Sequence, residues 1–253
     1  MRRLRLVLEY DGTDFSGWQI QPQERSVQGV IQEALREITG LSHRLVPAGR
    51  TDAGVHARAQ VAHVDSETPL EPPALGRALN AVLPRDIAVT ELDIAAPDFH
   101  ARHSASGKVY AYRILNRGSP SPVRARFSWH LRGPLDLEAM AEAARLVVGT
   151  HDFSAFRSAP GGRREDVNAR RTVYRLEVAR CEDDEVRIEA HGRSFLRYMV
   201  RNLAGTLVEI GHGKYPPCAM ASILASMDRG KAAVAAPAHG LCLERVLYDA
   251  DSA

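Results

Sequence analysis

Residues 173–190 read VYRLEVARCEDDEVRIEA, and this stretch decides the fold class. Apolar and polar side chains alternate in residues 173–180 and again in residues 186–190, which is the pattern of two half-buried β-strands. The acidic segment between them is short enough for a hairpin, so we expect the strands to pair antiparallel. Strands and helices do not alternate strictly elsewhere, and the sequence therefore favours an α+β fold over a parallel α/β sheet.

Periodicity predicts the other elements of the chain. Residues 4–10 alternate as an opening strand, and apolar residues at helical spacing over 27–38 predict a helix with Ser26 as N-cap and Gly40 as terminator. Further strands are predicted near residues 44–46, 59–64, 87–92, 109–115 and 241–248, and further helices near residues 74–82, 137–148, 195–210 and 219–227. We expect two mixed halves, residues 1–104 and 105–253.

Arginine dominates the basic residues. The chain has 33 Lys and Arg against 31 Asp and Glu, so its net charge of +2 does not by itself indicate a nucleic-acid partner. Lysine accounts for three of the basic residues, and residues 157–175 contain six arginines against two acids. Arginine suits bidentate contacts with phosphate, and the alternative interpretation of this stretch is a solvated loop in an arginine-rich protein.

Several classes of protein lose their usual sequence signals. The first residues are interrupted by charge before any signal-peptide core, and no stretch approaches 18 uncharged apolar residues, so we expect a cytoplasmic protein without a membrane span. Three widely spaced cysteines predict neither disulfides nor a cysteine zinc site. The histidine pairs lack metal-ligand spacing, and no nucleotide-binding or serine-hydrolase motif is present, so we expect no metal and no cofactor.

The segment GRTDAGVHA, residues 49–57, carries the strongest chemical signal. It places a guanidinium, a hydroxyl, a carboxylate and an imidazole between two apolar strands, with glycines that let a ligand approach the backbone. Asp52 could act there as nucleophile or as acid and base, and Arg50 would favour its ionised form. The alternative is a turn with a structural ion pair.

Two other segments offer recognition chemistry. Tyr110 and Tyr112 fall on one face of a predicted strand, where a ring can stack on a base or simply form half of an aromatic core. Arg197 and Arg201 are spaced i, i+4 in the helix predicted near residue 195, so they would share a face. Such an arginine is either a surface cation or a buried partner for a carboxylate, and the spacing favours the surface.

Five motifs, in this order, resemble those of the TruA family of pseudouridine synthases. They are Tyr10-Asp11-Gly12-Thr13 with Phe15 and Gly17-Trp18-Gln19, then the segment 49–57, Leu79-Asn80 with Leu83-Pro84, Phe99-His100-Ala101-Arg102, and Met199-Val200-Arg201-Asn202. Their order and spacing extend over nearly the whole chain, and the GRTDAGVHA motif is highly specific.

The resemblance implies a fold, a reaction and a set of roles. The fold would be two α+β halves with a largely antiparallel sheet around a central basic cleft, in a homodimer that shares a tRNA. The reaction would be isomerisation of uridine to pseudouridine at positions 38, 39 and 40 of the tRNA anticodon stem-loop. Asp52 would be the essential aspartate and Arg201 its basic partner. Arg50 would fill the gap left by the flipped uridine, and Tyr110 would stack on the target base.

Four arginines of the basic stretch complete the expected substrate contacts. We expect Arg163, Arg164, Arg170 and Arg171 to bind phosphates, although this segment matches the TruA pattern poorly.

The chemistry agrees with a cofactor-free carboxylate enzyme. Breaking the N1–C1′ bond and joining C5 to C1′ needs no oxidation or hydrolysis, and Asp52 could attack C1′ or promote formation of a glycal. Two alternatives remain at this level. An RNA-binding module would not need Asp52, and a glycoside or nucleoside hydrolase would need a second carboxylate nearby, from Glu9, Asp11 or Asp14.

Overall fold

A computed structural model describes residues 1–158 and 168–248 of the chain. The strands in these residues are β1 (Arg2–Tyr10), β2 (Val46–Pro47), β3 (His56–Ser66), β4 (Ile87–Ile94), β5 (Ala105–Asn116), β6 (Trp129–Leu131), β7 (Gly149–Asp152), β8 (Arg170–Arg180), β9 (Glu185–Gly192) and β10 (Leu241–Tyr248). The α-helices are α1 (Val27–Thr39), α2 (Pro72–Val82), α3 (Leu137–Arg145), α4 (Met199–Gly211) and α5 (Ala219–Ser226). None of these helices is both long and apolar enough to cross a bilayer.

The chain divides into two compact units. The first contains residues 1–106 together with the C-terminal residues from Cys242, and the second contains residues 107–241. The sequence placed a boundary near residue 104 and assigned the last strand to the second half, whereas this division groups β10 with the N-terminal residues.

The first unit is a sheet covered by two helices. Its strands follow the order β4-β1-β3-β10, with β2 beside β3. The pairs β1–β4, β1–β3 and β2–β3 are antiparallel, and β10 runs parallel to β3. Helix α1 begins at its predicted cap, where the Ser26 side chain accepts a hydrogen bond from Gly29 N, and it ends at Gly40. Its buried residues, Val27, Ile31, Ala34 and Leu35, form the apolar face that the spacing predicted.

The second unit is built on the predicted hairpin. Its strands follow the order β5-β9-β8-β7, with β6 running parallel to β5. The turn between β8 and β9 has positive φ at Asp183 (56°) and Asp184 (60°), a conformation that aspartate tolerates better than most residues and that matches the twist of a hairpin. The antiparallel hairpin and the α+β class predicted from the sequence are both confirmed.

Several elements differ from the predictions. Helix α4 begins at Met199 and not near residue 195, because Tyr198 has a left-handed backbone (φ 66°) that a right-handed helix cannot include. Helix α3 ends at Arg145, three residues earlier than predicted, and its last residues continue into i→i+3 turns. The short strands β6 and β7 have no local pattern of their own and form through pairing with β5 and β8.

Candidate active site

The segment 49–57 leads into β3 in the first unit, and three contacts hold its backbone. Trp18 N donates to the Thr51 carbonyl (3.0 Å), Gly54 N donates to the Phe15 carbonyl (3.3 Å), and Gln60 Nε2 donates to the Gly49 carbonyl (2.8 Å). These donors and acceptors come from the preceding turn region and from the strand that follows the loop. The loop therefore has a defined backbone, as a catalytic side chain requires.

Two glycines of the first motif explain this close approach. A Cβ atom on Gly17, which has φ of +99°, would lie 2.8 Å from the Thr51 carbonyl oxygen, and one on Gly12 would lie 2.0 Å from the Val55 carbonyl oxygen. Both distances are below any ordinary contact, so only glycine allows the turn to pack against the loop at these points. The first motif thus serves as the support of the second.

A buried hydroxyl pair lies beneath the loop. The hydroxyl groups of Tyr10 and Thr51 are 2.8 Å apart, and both side chains are buried. Burial raises the pKa of the Tyr10 phenol well above its ordinary value, against smaller lowering by its hydrogen bonds to Thr51 and Gln60. The phenol therefore keeps its proton and remains a hydrogen-bond partner of Thr51, the residue before Asp52.

The two residues on which the chemistry was predicted to depend are more accessible than this support. Asp52 is half-buried and Arg50 is exposed, whereas Thr51 between them is buried. The Asp52 carbonyl accepts a hydrogen bond from Val55 N (3.2 Å), which closes the turn after the carboxylate. A carboxylate in this setting is fixed at its backbone and still partly accessible to a substrate.

Asp11 is the acidic residue of the first motif that lies near this loop. Its carboxylate accepts hydrogen bonds from Thr13 N (3.0 Å) and from the Thr13 hydroxyl (2.5 Å), and it lies 3.1 Å from His56 Nδ1. The same ring nitrogen accepts a hydrogen bond from Gly12 N (3.0 Å). Asp11 is therefore engaged in the structure of the turn.

The predicted tyrosines lie in the second unit, on β5. Tyr110 is buried and its ring meets that of Phe195 edge-on, with centroids 5.4 Å apart. Tyr112 is also buried and donates its hydroxyl to the Pro237 carbonyl (2.8 Å). Tyr112 is thus a core residue with a satisfied hydroxyl, while the ring of Tyr110 is held in one orientation by its aromatic neighbour.

Arg201 is the third residue of α4 and is half-buried. Its Nε donates to the Ala236 carbonyl (2.8 Å), and its guanidinium carbon lies 4.4 Å from the centroid of the Tyr198 ring. Burial lowers the pKa of the nearby His239 imidazole, and the charge of Arg201 lowers it further. The predicted i, i+4 pairing with Arg197 within one helix is wrong, because Arg197 precedes the helix.

Two of the four predicted phosphate-binding arginines begin β8. Arg170 is exposed, and Arg171 is half-buried and donates Nη1 to the Asn168 carbonyl (2.7 Å). Arg163 and Arg164 lie outside the described residues.

Sequence reasoning missed the residues that organise Arg201 and the loop. Tyr10 and Gln60 were assigned no role in the site, yet they lie beneath residues 49–52. Asn202, fully buried, donates to the carbonyls of Phe156 (2.7 Å) and Arg157 (3.3 Å). A buried polar residue within a motif was the available signal, but nothing local to it identifies its partners. Within the described residues, no group of three or more His, Cys, Asp or Glu side chains is arranged to hold a metal.

Comparison with known proteins places the chain among related sequences. A family model described as tRNA pseudouridine synthase matches residues 6–104 and 143–249. The chain is 47% identical over 248 residues to tRNA pseudouridine synthase A of Syntrophotalea carbinolica, covering 98% of this chain and 97% of that protein. It is 45% identical over 248 residues to tRNA pseudouridine synthase A of Myxococcus xanthus, covering 98% and 92%.

Likeness to solved structures is weaker. A crystal structure of a Cbf5-Nop10-Gar1 complex contains a chain that is 15% identical, with a TM-score of 0.34. The match covers 94% of this chain and 57% of that chain.

Proposed function

The chain belongs to the family of tRNA pseudouridine synthases, and from that premise we propose that it isomerises uridine to pseudouridine at positions 38, 39 and 40 of the tRNA anticodon stem-loop. The observation that carries the proposal is the GRTDAGVHA loop. Its backbone is bonded at Gly49, Thr51 and Gly54, while Asp52 stays partly accessible.

The reaction asks for one reacting carboxylate. The N1–C1′ bond of uridine breaks, the uracil turns, and C5 bonds to C1′ before the C5 proton is lost. Asp52 either attacks C1′ as a nucleophile or removes a sugar proton as a glycal forms. Both routes need a carboxylate whose backbone cannot drift, because a misplacement of about 1 Å can cost about a hundredfold in rate.

Substrate contacts are assigned to residues with suitable chemistry. A paired uridine must leave the helix before it can react, and we assign Arg50, an exposed residue beside Asp52, to the gap it leaves. Tyr110, held edge-on by Phe195, is assigned to the target base. Arg201 is assigned as the second catalytic group.

Phosphate binding is assigned to the basic segment around the start of β8. Arg170 is exposed there, and Arg171 is oriented by Asn168. Arg163 and Arg164 belong to the same proposal on the basis of the sequence alone.

A hydrolase is the competing enzyme class, and of its three candidate second carboxylates, Glu9, Asp11 and Asp14, the environment of Asp11 disfavours that residue. Glycoside hydrolysis ordinarily uses two carboxyl groups that both act on the substrate. Asp11 already accepts two hydrogen bonds from Thr13 and lies against His56. A carboxylate committed to a turn in this way is poorly suited to activate a water molecule.

The first test replaces Asp52 with asparagine. Asp52→Asn removes the reacting charge with almost no change in volume, so we expect turnover to fall by several orders of magnitude, about 10³-fold or more, while tRNA binding persists. The measurement is tritium release from tRNA labelled at uridine C5, beside a binding titration. Asp98→Asn, at an exposed position in the same unit, is the matched control and should behave as wild type. Near-normal tritium release from Asp52→Asn would end the catalytic assignment.

We also propose that the protein is a homodimer that acts on tRNA in the cytoplasm, and the family resemblance supports this.

A further inference from the structure

Tyr198 has a backbone conformation that tyrosine rarely adopts. It lies immediately before α4 with φ of 66° and ψ of −2°, in the left-handed region. A bulky side chain there costs conformational energy, which the surrounding contacts must offset. Such strain is found most often where it places a functional group.

The ring of Tyr198 lies against the guanidinium of Arg201. The guanidinium carbon is 4.4 Å from the ring centroid, within the range of a cation–π contact. The left-handed residue thus precedes the first residue of the helix, Met199, and its ring lies beside Arg201, three residues further along the chain.

A second contact, a hydrogen bond from Nε, restrains the guanidinium at one of its edges. Arg201 Nε donates to the Ala236 carbonyl (2.8 Å), and Ala236 N donates to the Arg201 carbonyl (3.0 Å). This reciprocal pair ties the arginine to residues 233–236, which also approach α4 closely at Gly205. One contact restrains the guanidinium through its face and the other through Nε, and its terminal amino groups form the edge suited to an oxyanion.

Buried contacts of the same helix hold the residues on either side. Asn202 bonds to the Phe156 carbonyl, and its side-chain oxygen accepts a hydrogen bond from Arg229 (2.9 Å). Ala233 N donates to the Thr206 hydroxyl (3.3 Å). The support of Ala236 is therefore fixed independently of Tyr198, so removal of the ring alone should leave the fold intact.

From these contacts we infer that Tyr198 is a positioning residue for the reaction: its ring holds the Arg201 guanidinium in the orientation in which it meets an oxyanion, either a carboxylate or a phosphate. The inference rests on the catalytic role proposed for Arg201. Tyr198 itself is assigned no contact with the substrate.

The test uses two substitutions that separate the ring from the backbone. Tyr198→Phe keeps the ring. Tyr198→Asn removes the ring, and asparagine tolerates the left-handed conformation. We expect Tyr198→Phe to retain turnover within about twofold of wild type. We expect Tyr198→Asn to lower kcat by about tenfold to a hundredfold, with KM for tRNA within about threefold and an unchanged or raised melting temperature.

A spectroscopic measurement reports on the orientation without any reaction. The Nε–H signal of Arg201, assigned by its absence from Arg201→Lys, should exchange slowly with water in wild type, because Nε donates to the Ala236 carbonyl. This slow exchange should be lost in Tyr198→Asn and kept in Tyr198→Phe. Tyr215→Asn is the matched control, because the Tyr215 ring lies 5.7 Å from Lys214 Nζ in the same unit and has no proposed role; it should change neither the Arg201 signal nor turnover.

The possible results separate this inference from the proposed function. An unchanged Arg201 signal in Tyr198→Asn would overturn the inference, as would an altered signal with wild-type kcat. A melting temperature that falls in step with kcat would show that Tyr198 is merely structural. If wild type itself releases no tritium, the proposed function fails, while the Nε–H signals still decide whether Tyr198 orients Arg201.

Discussion

His63 shows at the scale of one residue how packing changes a titration. The side chain is buried, and its ring lies 4.7 Å from that of His100, which in turn lies 4.3 Å from His103. His63 Nδ1 accepts a hydrogen bond from Ala101 N (3.1 Å). The neutral imidazole suits this environment for two reasons. Nδ1 must remain a hydrogen-bond acceptor, and a positive charge on His63 would be repelled by charge on His100 and Arg3.

The pKa of His63 is lowered to about 4, first by burial and then by the charges of His100 and Arg3, against a smaller opposing effect of Asp65. The ordinary value is 6.5, so the folded protein favours the neutral form more than the unfolded chain does. The stability that follows is fully present above pH 6.5 and is lost as pH falls toward 4. It amounts to at most about 3.5 kcal/mol, since one pKa unit corresponds to about 1.4 kcal/mol.

We therefore predict that His63→Gln weakens the loss of stability in acid. Urea unfolding at pH 7.5 and pH 4.5 gives the change in free energy of unfolding for each protein, and this change should be smaller in His63→Gln than in wild type. His212→Gln, at an exposed position, is the control and should follow wild type. Equal losses in wild type and His63→Gln would show that His63 is not the residue responsible.

Helices of the two units differ in how closely other backbone approaches them. In α4, a Cβ atom on Gly205 would lie 2.1 Å from the Val234 carbonyl oxygen, so the segment 233–236 can pack there only against glycine. In α2, a Cβ atom on Gly76 would make an ordinary contact of 3.8 Å with Leu92. The same residue type therefore has opposite meanings in the two elements.

A pair of alanine substitutions tests this difference. Gly76→Ala should stabilise the protein by about 0.5–1 kcal/mol, because alanine reduces the conformational entropy of the unfolded chain. Gly205→Ala should destabilise it by about 1–3 kcal/mol, because the added methyl displaces residues 233–236. Urea unfolding midpoints measure both, and each variant serves as the control for the other. A stabilised Gly205→Ala would mean that this segment moves away at little cost.

At the scale of the whole molecule, the distribution of charge matters more than its sum. The net charge of +2 hides many ion pairs in which arginines are neutralised, among them Arg3 with Asp65 and Arg5 with Asp93. Exposed pairs of this kind stabilise little, about 0–1 kcal/mol each. Their consequence here is that arginines in such pairs are less available to phosphate.

We predict a specific change in the salt dependence of tRNA binding. Each phosphate contact contributes a slope of about −0.7 to −0.9 to the logarithm of affinity against the logarithm of salt concentration. Replacing Arg170 and Arg171 together with glutamine should therefore flatten the slope by about 1 to 2, and adding Arg163 and Arg164 should flatten it further. Fluorescence anisotropy between about 50 and 200 mM salt measures this. Arg36→Gln with Arg77→Gln, both exposed on helices of the first unit, is the control, and slopes that do not differ from it would leave the basic segment a solvated loop.

The sequence by itself determined the features that depend on neighbouring residues. The hairpin of β8 and β9 follows from period-two alternation around a short acidic turn, and α1 follows from its spacing and its cap at Ser26. The resemblance to the tRNA pseudouridine synthases also required only the order of short motifs, and it is confirmed. Each of these signals lies within a few residues of the structure that it predicts.

Only the tertiary structure decided how Arg201 and Asp52 are supported. The Ala236 carbonyl bonds to Arg201 and the Tyr10 hydroxyl bonds to Thr51, so both contacts join residues that are far apart in the sequence. The left-handed backbone of Tyr198 likewise has no signal in the apolar spacing. The same holds for the start of α4, which the apolar spacing placed near residue 195. Periodicity reports which face of an element is buried, but it does not report which distant atom comes against that face, because long-range packing sets that contact.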